Sequence, residues 1–446
     1  MHWPSREPAG SGFRDPSPLP TWSRSTARSR SLLKPPGPQN GGSAKTYDVV
    51  VVGAGILGLA TARELLRRRP RIQLLVVDKE TVLAAHQTGH NSGVLHAGLY
   101  YQPGSLKARL CREGKASLEQ YAEEHGIVVE NCGKLVIAAD PGELPALEEL
   151  KRRGDANGVP GLEMLGPAGL NDIESHAVGC GALWSPSTSI IQYRSVAAAM
   201  AGDIRDAGGE IWLGVEVTSI SPGTDHLTLT AGRETVASRH LITCAGLQAD
   251  RLAKMAGSPP QEHIIPFRGD YYTLTESAAK MVRGLIYPVP DPRFPFLGIH
   301  LTRTADGRVL AGPNAVLAFD REGYRRRDFS ARDVWAVTAD PGFRSLARRY
   351  WRTGLAETWR DWNKRAFLRA VQRFIPEIES RDLRWGPSGV RAQAVDPDGA
   401  LVDDFRLGTD GRYLHVRNAP SPAATASMAI ANHLANQAEQ QFANLD

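Results

Sequence analysis

Histidine, hydroxyl-bearing and glycine residues are concentrated between Lys79 and Gln102, a segment that includes HQTGHNSGVLHAGLYY at residues 86–101. Glycines at this density are atypical of a helix and let a backbone approach a ligand closely, so we expect a loop against a bound molecule. His96 lies in this loop, and an imidazole titrates near neutral pH, as a general base requires. We therefore choose His96 as the first candidate base and His300 as the second. The alternative for His96 is a hydrogen bond to the ligand or the backbone.

A second chemical signal is the glycine pattern at Gly53, Gly55 and Gly58, which follows the apolar run 49–52. In the G-x-G-x-x-G spacing the first glycine makes a tight turn, the second admits a pyrophosphate and the third lets helix and strand pack closely. Asp78 ends the next apolar run, twenty residues after Gly58, where an acid accepts ribose hydroxyls. The pattern predicts dinucleotide binding without separating NAD from FAD, and Asp78 disfavours a 2′-phosphate.

The composition is that of a globular protein: 446 residues, 42% hydrophobic and 23% charged, with a net charge of +5. The four cysteines form no C-x-x-C pair, so we expect neither a metal site nor a redox dithiol, and we expect a reducing compartment. His86 and His90 have i, i+4 spacing, but their segment is not helical in pattern, so we predict no metal. Mild basicity favours an anionic substrate or a membrane surface, with scattered solvated arginines as the alternative, and we expect no nucleic-acid partner.

The first 44 residues differ from the rest because they are rich in proline, glycine, serine and arginine. Proline at this density prevents a stable helix, so we expect a disordered extension. Its arginine and serine content is typical of a transit peptide, but its poor helix potential argues against a mitochondrial address. No apolar run approaches eighteen residues. We therefore expect a cytoplasmic protein, with peripheral attachment to the inner membrane as an option.

The remaining pattern predicts the elements that position these residues. Ser105 suits the N-cap of a helix that runs to about His125, and 134–138 is typical of a strand. Helices are expected at about 143–158, 194–207 and 426–441, and 325–375 is mostly helical in pattern. The run 240–246 looks like a buried strand that returns to the nucleotide-binding sheet. Short β-rich runs in 264–310, separated by proline and glycine, predict an antiparallel sheet.

Five stretches together resemble FAD-dependent oxidoreductases of the D-amino-acid oxidase type, and among these the enzymes that oxidise L-2-hydroxyglutarate. They are HQTGHNSGVLHAGLYYQPGSLKARLC (86–111), PFRGDYY (266–272), LIYPVPDPRFPFLGIHLTR (285–303), GPSGVRAQ (386–393) and NAPSPAATASMAIA (418–431). The resemblance implies an α/β fold: a Rossmann-like FAD-binding domain of glutathione-reductase type with an antiparallel-sheet substrate domain. The FAD-binding domain would comprise about 46–110, 190–260 and 380–446, and the cap 111–189 and 261–379.

The resemblance also implies a cofactor and the residues that bind it. FAD would be bound non-covalently, since no cysteine or histidine matches a flavin-linkage motif. The loop around Asn91 would lie on the flavin, and the loop 418–425 near its pyrimidine edge. The predicted cofactor-binding residues are Gly53, Ala54, Gly55, Ile56, Leu57, Gly58, Asp78, Lys79, Asn91, Ser92, Gly93, Val217, Ala245, Gly246, Ser421, Pro422 and Ala423.

The implied substrate is a small 2-hydroxy dicarboxylate, so two cationic sites are wanted. Arginine suits a carboxylate because its planar fork binds both oxygens, and we choose Arg391 as the first anchor. Arg268, Arg303 and Lys107 compete for the second carboxylate, with a structural ion pair as the alternative for each. Tyr100 and Tyr271 are candidate hydroxyl donors. The competing functions are an enzyme for an amine or glycerol phosphate, and a non-catalytic flavin-binding or tRNA-associated module that uses the basic surface. The electron acceptor is a quinone or oxygen.

Overall fold

The computed structural model describes residues 45–290, 298–442 and 445, so the predicted disorder of 1–44 lies outside the described residues. The helices are α1 Ile56–Arg68, α2 Leu106–Glu124, α3 Leu144–Ala156, α4 Pro167–Ile173, α5 Tyr193–Asp206, α6 Ala249–Met255, α7 Glu276–Ala279, α8 Ala331–Ala339, α9 Pro341–Trp362, α10 Lys364–Gln372 and α11 Ser427–Gln441. The strands are β1 Thr46–Val52, β2 Leu74–Asp78, β3 Val94–Leu95, β4 Val129–Glu130, β5 Lys134–Ala138, β6 Glu163–Leu165, β7 Gly181–Ser185, β8 Ser189–Ile191, β9 Glu210–Leu213, β10 Val217–Pro222, β11 Leu227–Ala231, β12 Glu234–Thr243, β13 His263–Leu274, β14 Leu285–Pro288, β15 His300–Arg303, β16 Val309–Gly312, β17 Val316–Leu317, β18 Leu383–Val395, β19 Arg406–Asp410 and β20 Tyr413–Asn418.

The first sheet contains the glycine pattern. Its strand order is β10-β11-β12-β1-β2-β9, with β20 beside β12 and β19 beside β20. β1 runs parallel to β2 and to β12, which confirms the predicted return of the run at 240–246 to this sheet. The parallel arrangement brings the carboxyl ends of these strands to one edge, where ligands bind in open α/β sheets.

Both faces of this sheet are buried, which explains the unbroken apolar runs in β1 and β2. Val49 and Val51 of β1 pack in the core formed with α1, α2, α5 and α11. Val50 and Val52 point the other way, into a core built with β10 and β11. The helical layer fixes the glycine turn at the start of α1 and the loop before α11.

The second sheet is mostly antiparallel, as the pattern of 264–310 predicts. Its order is β17-β13-β16-β15-β14-β5-β7-β6, and β18 pairs with β13. The pair β5–β14 is the parallel one within it. One face packs on the apolar side of α10 and on α4. The opposite face packs against α3 and against Val94 and Leu99, which flank His96 in the chain.

Two segments connect the expected domains. β18 belongs to the expected FAD segment 380–446 and hydrogen-bonds along its length with β13 in the second sheet. The helix α2 begins after Ser105, whose side chain accepts from the Ala108 N–H as predicted. Its far half, grouped with the cap, packs in the core of the first sheet through Leu118 and Tyr121. Apolar positions reveal that a segment is buried, but not which sheet buries it.

A three-stranded sheet, β3-β8-β4, lies between the two larger ones. β3 pairs with β8 just before His96, so the chain holds that histidine close to both sheets. No helix of the described residues is long and apolar enough to cross a membrane.

Candidate active site

The glycine turn has the shape that a pyrophosphate requires. Gly53 has φ +116°, and a Cβ there would lie 2.4 Å from the Cys244 carbonyl oxygen, while a Cβ on Gly58 would lie 1.9 Å from the Gly53 oxygen. A Cβ on Gly55 would meet only the Thr88 hydroxyl, at 3.4 Å. Gly53 and Gly58 therefore allow neighbouring backbone segments to approach closely, whereas Gly55 leaves the N-terminus of α1 open to an anion. Ala54 lies in this turn, and Ile56 and Leu57 are the first residues of α1 after the N-cap Gly55, an arrangement that fits FAD.

Asp78 ends β2 beside this turn. Its carboxylate accepts from the backbone N–H groups of Ala54 (2.6 Å) and Glu80 (2.9 Å), so it is held where a ribose would lie. Burial raises the pKa of Asp78, while these hydrogen bonds oppose the shift. Lys79 instead pairs with Glu80 and Glu322.

Glu80, His86 and Glu322 bring three potential metal ligands together. The Lys79 ammonium already pairs with both carboxylates, and His86 Nε2 lies 3.0 Å from Glu80. The charge that a cation would supply is therefore present as Lys79, and we assign no metal to this cluster.

The loop after β2 is stabilised by hydrogen bonds within it and packs against the second sheet. The Asn91 side chain donates to the carbonyls of Gln87 and Thr88 and accepts from the Gly93 N–H at 2.8 Å. A Cβ on Gly389 of β18 would lie 2.5 Å from the His90 carbonyl oxygen. The glycine in the GPSGVRAQ stretch therefore lets the two backbones meet.

The other predicted cofactor positions lie around the same edge of the first sheet. Ala245 and Gly246 directly follow Cys244, whose N–H donates to the Val52 carbonyl at 2.8 Å. Val217 begins β10, close to Val215, whose N–H donates to the Asp78 carbonyl at 2.9 Å. These contacts bring together segments that are more than 130 residues apart in the chain.

The loop before α11 reaches the His96 loop. Ser421, Pro422 and Ala423 form turns in which the Ala426 N–H donates to the Pro422 carbonyl. The Thr425 hydroxyl oxygen accepts from the His96 N–H at 3.1 Å and lies 3.0 Å from the Tyr193 hydroxyl. The two stretches that the resemblance places on the flavin and near its pyrimidine edge therefore meet at His96.

The two candidate bases differ in how they are held. Nδ1 of His96 is buried and has no hydrogen-bond partner among the described residues. Burial lowers the pKa of His96 well below its usual value, with further lowering from Lys134, His300, Lys107 and Arg391. His300 stacks on Tyr287 at 4.0 Å, and its Nδ1 lies 3.2 Å from the Gly298 carbonyl. Burial lowers the pKa of His300 to about 3. Both imidazoles are therefore neutral at pH 7.

Register puts further candidates on the face of the second sheet that His300 occupies. Arg391 of β18 is opposite Phe267 of β13, so its side chain shares the face of Tyr271, four residues further along β13. Ser92 lies close to the hydroxyls of Tyr271 and Tyr287 and is thus at the junction of loop and sheet. Arg391 also lowers the pKa of His300, which indicates that the two are neighbours.

Arg268 is on the opposite face, because it is directly opposite Val390 rather than Arg391. It is buried, with its Nε 3.0 Å from Asp270 and its Nη2 3.7 Å from Asp361. Arg303 pairs with Glu130 at 3.2 Å, and Lys107 pairs with Asp403 at 2.8 Å. Each of these three predicted carboxylate anchors therefore already has a carboxylate of this chain as its partner.

Lys134 is a further candidate site residue, which the sequence analysis missed. It begins β5 and is 1% exposed, and its Nζ lies over the rings of Tyr287 (4.6 Å) and Tyr100 (4.9 Å). The Tyr100 hydroxyl, a predicted donor, is buried without a partner among the described residues. Burial lowers the pKa of Lys134 to about 7. The available signal was a lysine at the head of an otherwise apolar strand, KLVIA.

The glycine turn and the acid after the second parallel strand form a dinucleotide-binding site, and the second sheet places basic and aromatic side chains opposite it. The chain matches the family described as FAD dependent oxidoreductase over residues 48–437. It is 47% identical over 415 residues to a mitochondrial L-2-hydroxyglutarate dehydrogenase of Nematostella vectensis, covering 89% of this chain and 91% of that protein. It is 44% identical over 400 residues to an L-2-hydroxyglutarate dehydrogenase of Escherichia coli K12, covering 89% and 94%.

A solved structure extends the fold comparison. The dithionite-reduced L-α-glycerophosphate oxidase of Mycoplasma pneumoniae, with FAD bound, superposes with a TM-score of 0.72 at 22% identity, covering 88% of this chain and 95% of that one. At this identity the likeness concerns the fold. The chain belongs to the family of FAD-dependent oxidoreductases, and its cofactor is FAD.

Proposed function

We propose that the chain oxidises L-2-hydroxyglutarate to 2-oxoglutarate. The observation that carries the proposal is the identity of 44–47% with relatives of that name over about nine-tenths of the chain. A dianionic hydroxy acid also suits a sheet face that bears Arg391 and Lys134 beside two neutral imidazoles.

Non-covalently bound FAD supplies a hydride acceptor at N5 for the carbon that carries the hydroxyl. His96 takes the hydroxyl proton, because its imidazole is neutral and its Nδ1 has no partner within the described part of the chain. His300 is the second candidate for this step. Arg391 holds one carboxylate through its fork, and Tyr271 donates a hydrogen bond. Burial of Tyr271 and His300 strengthens electrostatic interactions at this site, whereas Arg391 is exposed.

The test is anaerobic reduction of the purified yellow protein. L-2-hydroxyglutarate should bleach the flavin absorption, whereas the D-enantiomer, glycerol 3-phosphate and glycine should not. Bleaching by an amine or by glycerol phosphate instead would support the competing substrate class. A flavin that none of these compounds reduces would support a non-catalytic module. Denaturation should release intact FAD, and flavin that stays on the polypeptide would contradict non-covalent binding.

We further propose that a quinone or oxygen reoxidises the flavin and that the chain attaches peripherally to a membrane. Large aromatic side chains are strongly exposed between residues 329 and 362, including Trp335 at 75% and Trp362 at 72%. This segment is also rich in arginine, and tryptophan and arginine are favoured where a protein meets an anionic membrane surface.

Vesicle flotation tests the attachment. The wild type should float with vesicles of phosphatidylglycerol and phosphatidylcholine, and the double variant Trp335→Ser, Trp362→Ser should float much less. Val128→Ser is the matched control, because Val128 is 74% exposed outside this segment. Absence of flotation in the wild type would rule out the attachment.

The electron acceptor is tested separately. The rate of oxygen uptake is compared with the rate of reduction of a soluble quinone, and the faster reaction identifies the acceptor.

A further inference from the structure

We propose that Lys134 binds the second carboxylate of the substrate and thereby makes the site selective for dicarboxylates. This inference rests on the proposed function, because it assigns a group to one end of that substrate. Arg391 binds the other carboxylate in the same arrangement.

The position of Lys134 follows from strand register. Lys134 is directly beside Leu285 of β14, and Leu285 is opposite Thr302 of β15. Neighbouring residues across a sheet share a face, and alternate residues along a strand return to it. Lys134 therefore shares its face with Tyr287 and with His300, two residues before Thr302. This is also the face of Arg391 and the face against which the His96 loop packs.

The surroundings of Lys134 lack an anion. No described carboxylate forms an ion pair with its ammonium group, in contrast to Lys107, Arg268 and Arg303. Its Nζ contacts the π faces of Tyr100 and Tyr287, which attract a cation only weakly compared with a carboxylate. Burying a lysine without an anionic partner is costly. A substrate carboxylate would supply the missing charge.

The charged groups near Lys134 are the cations Arg391 and Lys107, which also act on His96, and the other titratable groups around it are neutral at pH 7. Burial raises the pKa of Cys111 to about 12 and that of Cys132 to about 11. It also raises the pKa values of the Tyr100 and Tyr287 hydroxyls above their usual value. His96 and His300 are neutral for the reason given above. With its own pKa lowered to about 7, the Lys134 amine is mostly uncharged at pH 8. Binding of a dianion should restore the charge, and the protein should take up a proton.

The first experiment measures binding to the oxidised holoenzyme through the perturbation of its flavin spectrum. In Lys134→Met the Kd of the dicarboxylate 2-oxoglutarate should rise roughly 30-fold or more, the scale for loss of a buried charge partner. The Kd of the monocarboxylate 2-oxobutyrate should change little. Lys151→Met, which removes a surface pair with Asp155 on α3, is the control and should leave both constants unchanged. Methionine should fold well at this buried position, because it removes the cost of burying an amine.

The second experiment is calorimetry of 2-oxoglutarate binding at pH 8 in buffers of different ionisation enthalpy. The wild type should take up close to one proton, and Lys134→Met should lose most of that uptake. Equal weakening of both ligands in Lys134→Met would overturn the proposal. So would normal affinities with slow flavin reduction, which would make the neutral amine the base. Binding is measured without turnover, so failure of L-2-hydroxyglutarate to reduce the wild-type flavin would count against the proposed function alone.

Discussion

The strand pair β13–β18 has two faces that use the same kind of residue in opposite ways. On one face Arg268 and Arg326 share the carboxylates of Asp270 and Asp361, and Asn314 donates to Asp361. The other face bears Arg391 and, further across the sheet, Lys134, opposite the His96 loop. The first face matches its buried cations with carboxylates of the chain itself. The second holds a buried lysine that has no carboxylate partner among the described residues.

The difference separates a structural cation from one that is available to a ligand. Charge and sequence position do not distinguish Arg268 from Arg391, which come from neighbouring strands and are nearly opposite in register. Their surroundings do. Arg268 is buried and paired with carboxylates of its own chain, so it stabilises the fold, whereas Arg391 is exposed on the face that bears His300.

The largest effect is expected when the structural face is broken. Arg268→Met leaves Asp270 and Asp361 with Arg326 as the remaining cation, and removal of one partner from a buried pair costs about 3–5 kcal/mol of unfolding free energy. Urea denaturation measures this loss. Arg381→Met, at an exposed pair with Glu379, should cost little. If Arg268→Met remains stable but its affinity for 2-oxoglutarate falls, Arg268 is an anchor after all.

The ligand-facing arginine should show the reverse behaviour. Arg391→Lys keeps the charge but loses the fork, so binding should weaken by about 2–5 kcal/mol while the unfolding free energy and flavin spectrum stay unchanged. The Kd of 2-oxoglutarate measures the effect, with Arg384→Lys on the same strand as control. Normal binding in Arg391→Lys would show that another residue binds the first carboxylate.

The base should affect rate rather than affinity or stability. His96→Gln should slow flavin reduction at saturating L-2-hydroxyglutarate by roughly 100-fold or more, the usual scale for general-base catalysis. Because the pKa of His96 is lowered, the imidazole stays neutral as pH falls to well below 6.5, so the wild-type rate should decline only at acidic pH. Stopped-flow reduction from pH 5 to 8 tests both points, with the exposed His226→Gln as control. A normal rate in His96→Gln would make His300 the base.

The smallest effect is expected at Lys107, which is near the site but pairs with the exposed carboxylate of Asp403. A pair of this kind contributes at most about 1 kcal/mol. Lys107→Met should therefore lower the unfolding free energy slightly and leave the Kd of 2-oxoglutarate nearly unchanged. A large rise in that Kd would show that a cation already paired within the chain can still bind the substrate.

Much of the fold was predictable because its signals are local. The strand, glycine turn, helix, strand and acid of 46–78 are contiguous, and the Ser105 cap, β5 and the helix before the C-terminus also follow from short patterns. The membership of β18 in the second sheet and of α2 in the first core was not, because pairing partners are chosen over hundreds of residues. Lys134 was missed for a related reason: a lysine at the head of a strand is usually at the surface.

The sequence by itself determined that this chain binds a dinucleotide, because the spacing of Gly53, Gly55 and Gly58 serves local backbone geometry and the close approach of a ligand. It also supplied the candidate histidines and cations. Only the tertiary structure decided which cations are already neutralised, because Arg268 meets Asp361, Lys107 meets Asp403 and Arg303 meets Glu130 across more than ninety residues each. Electrostatic energy depends on distance and burial in space, and neither is a property of position along the chain.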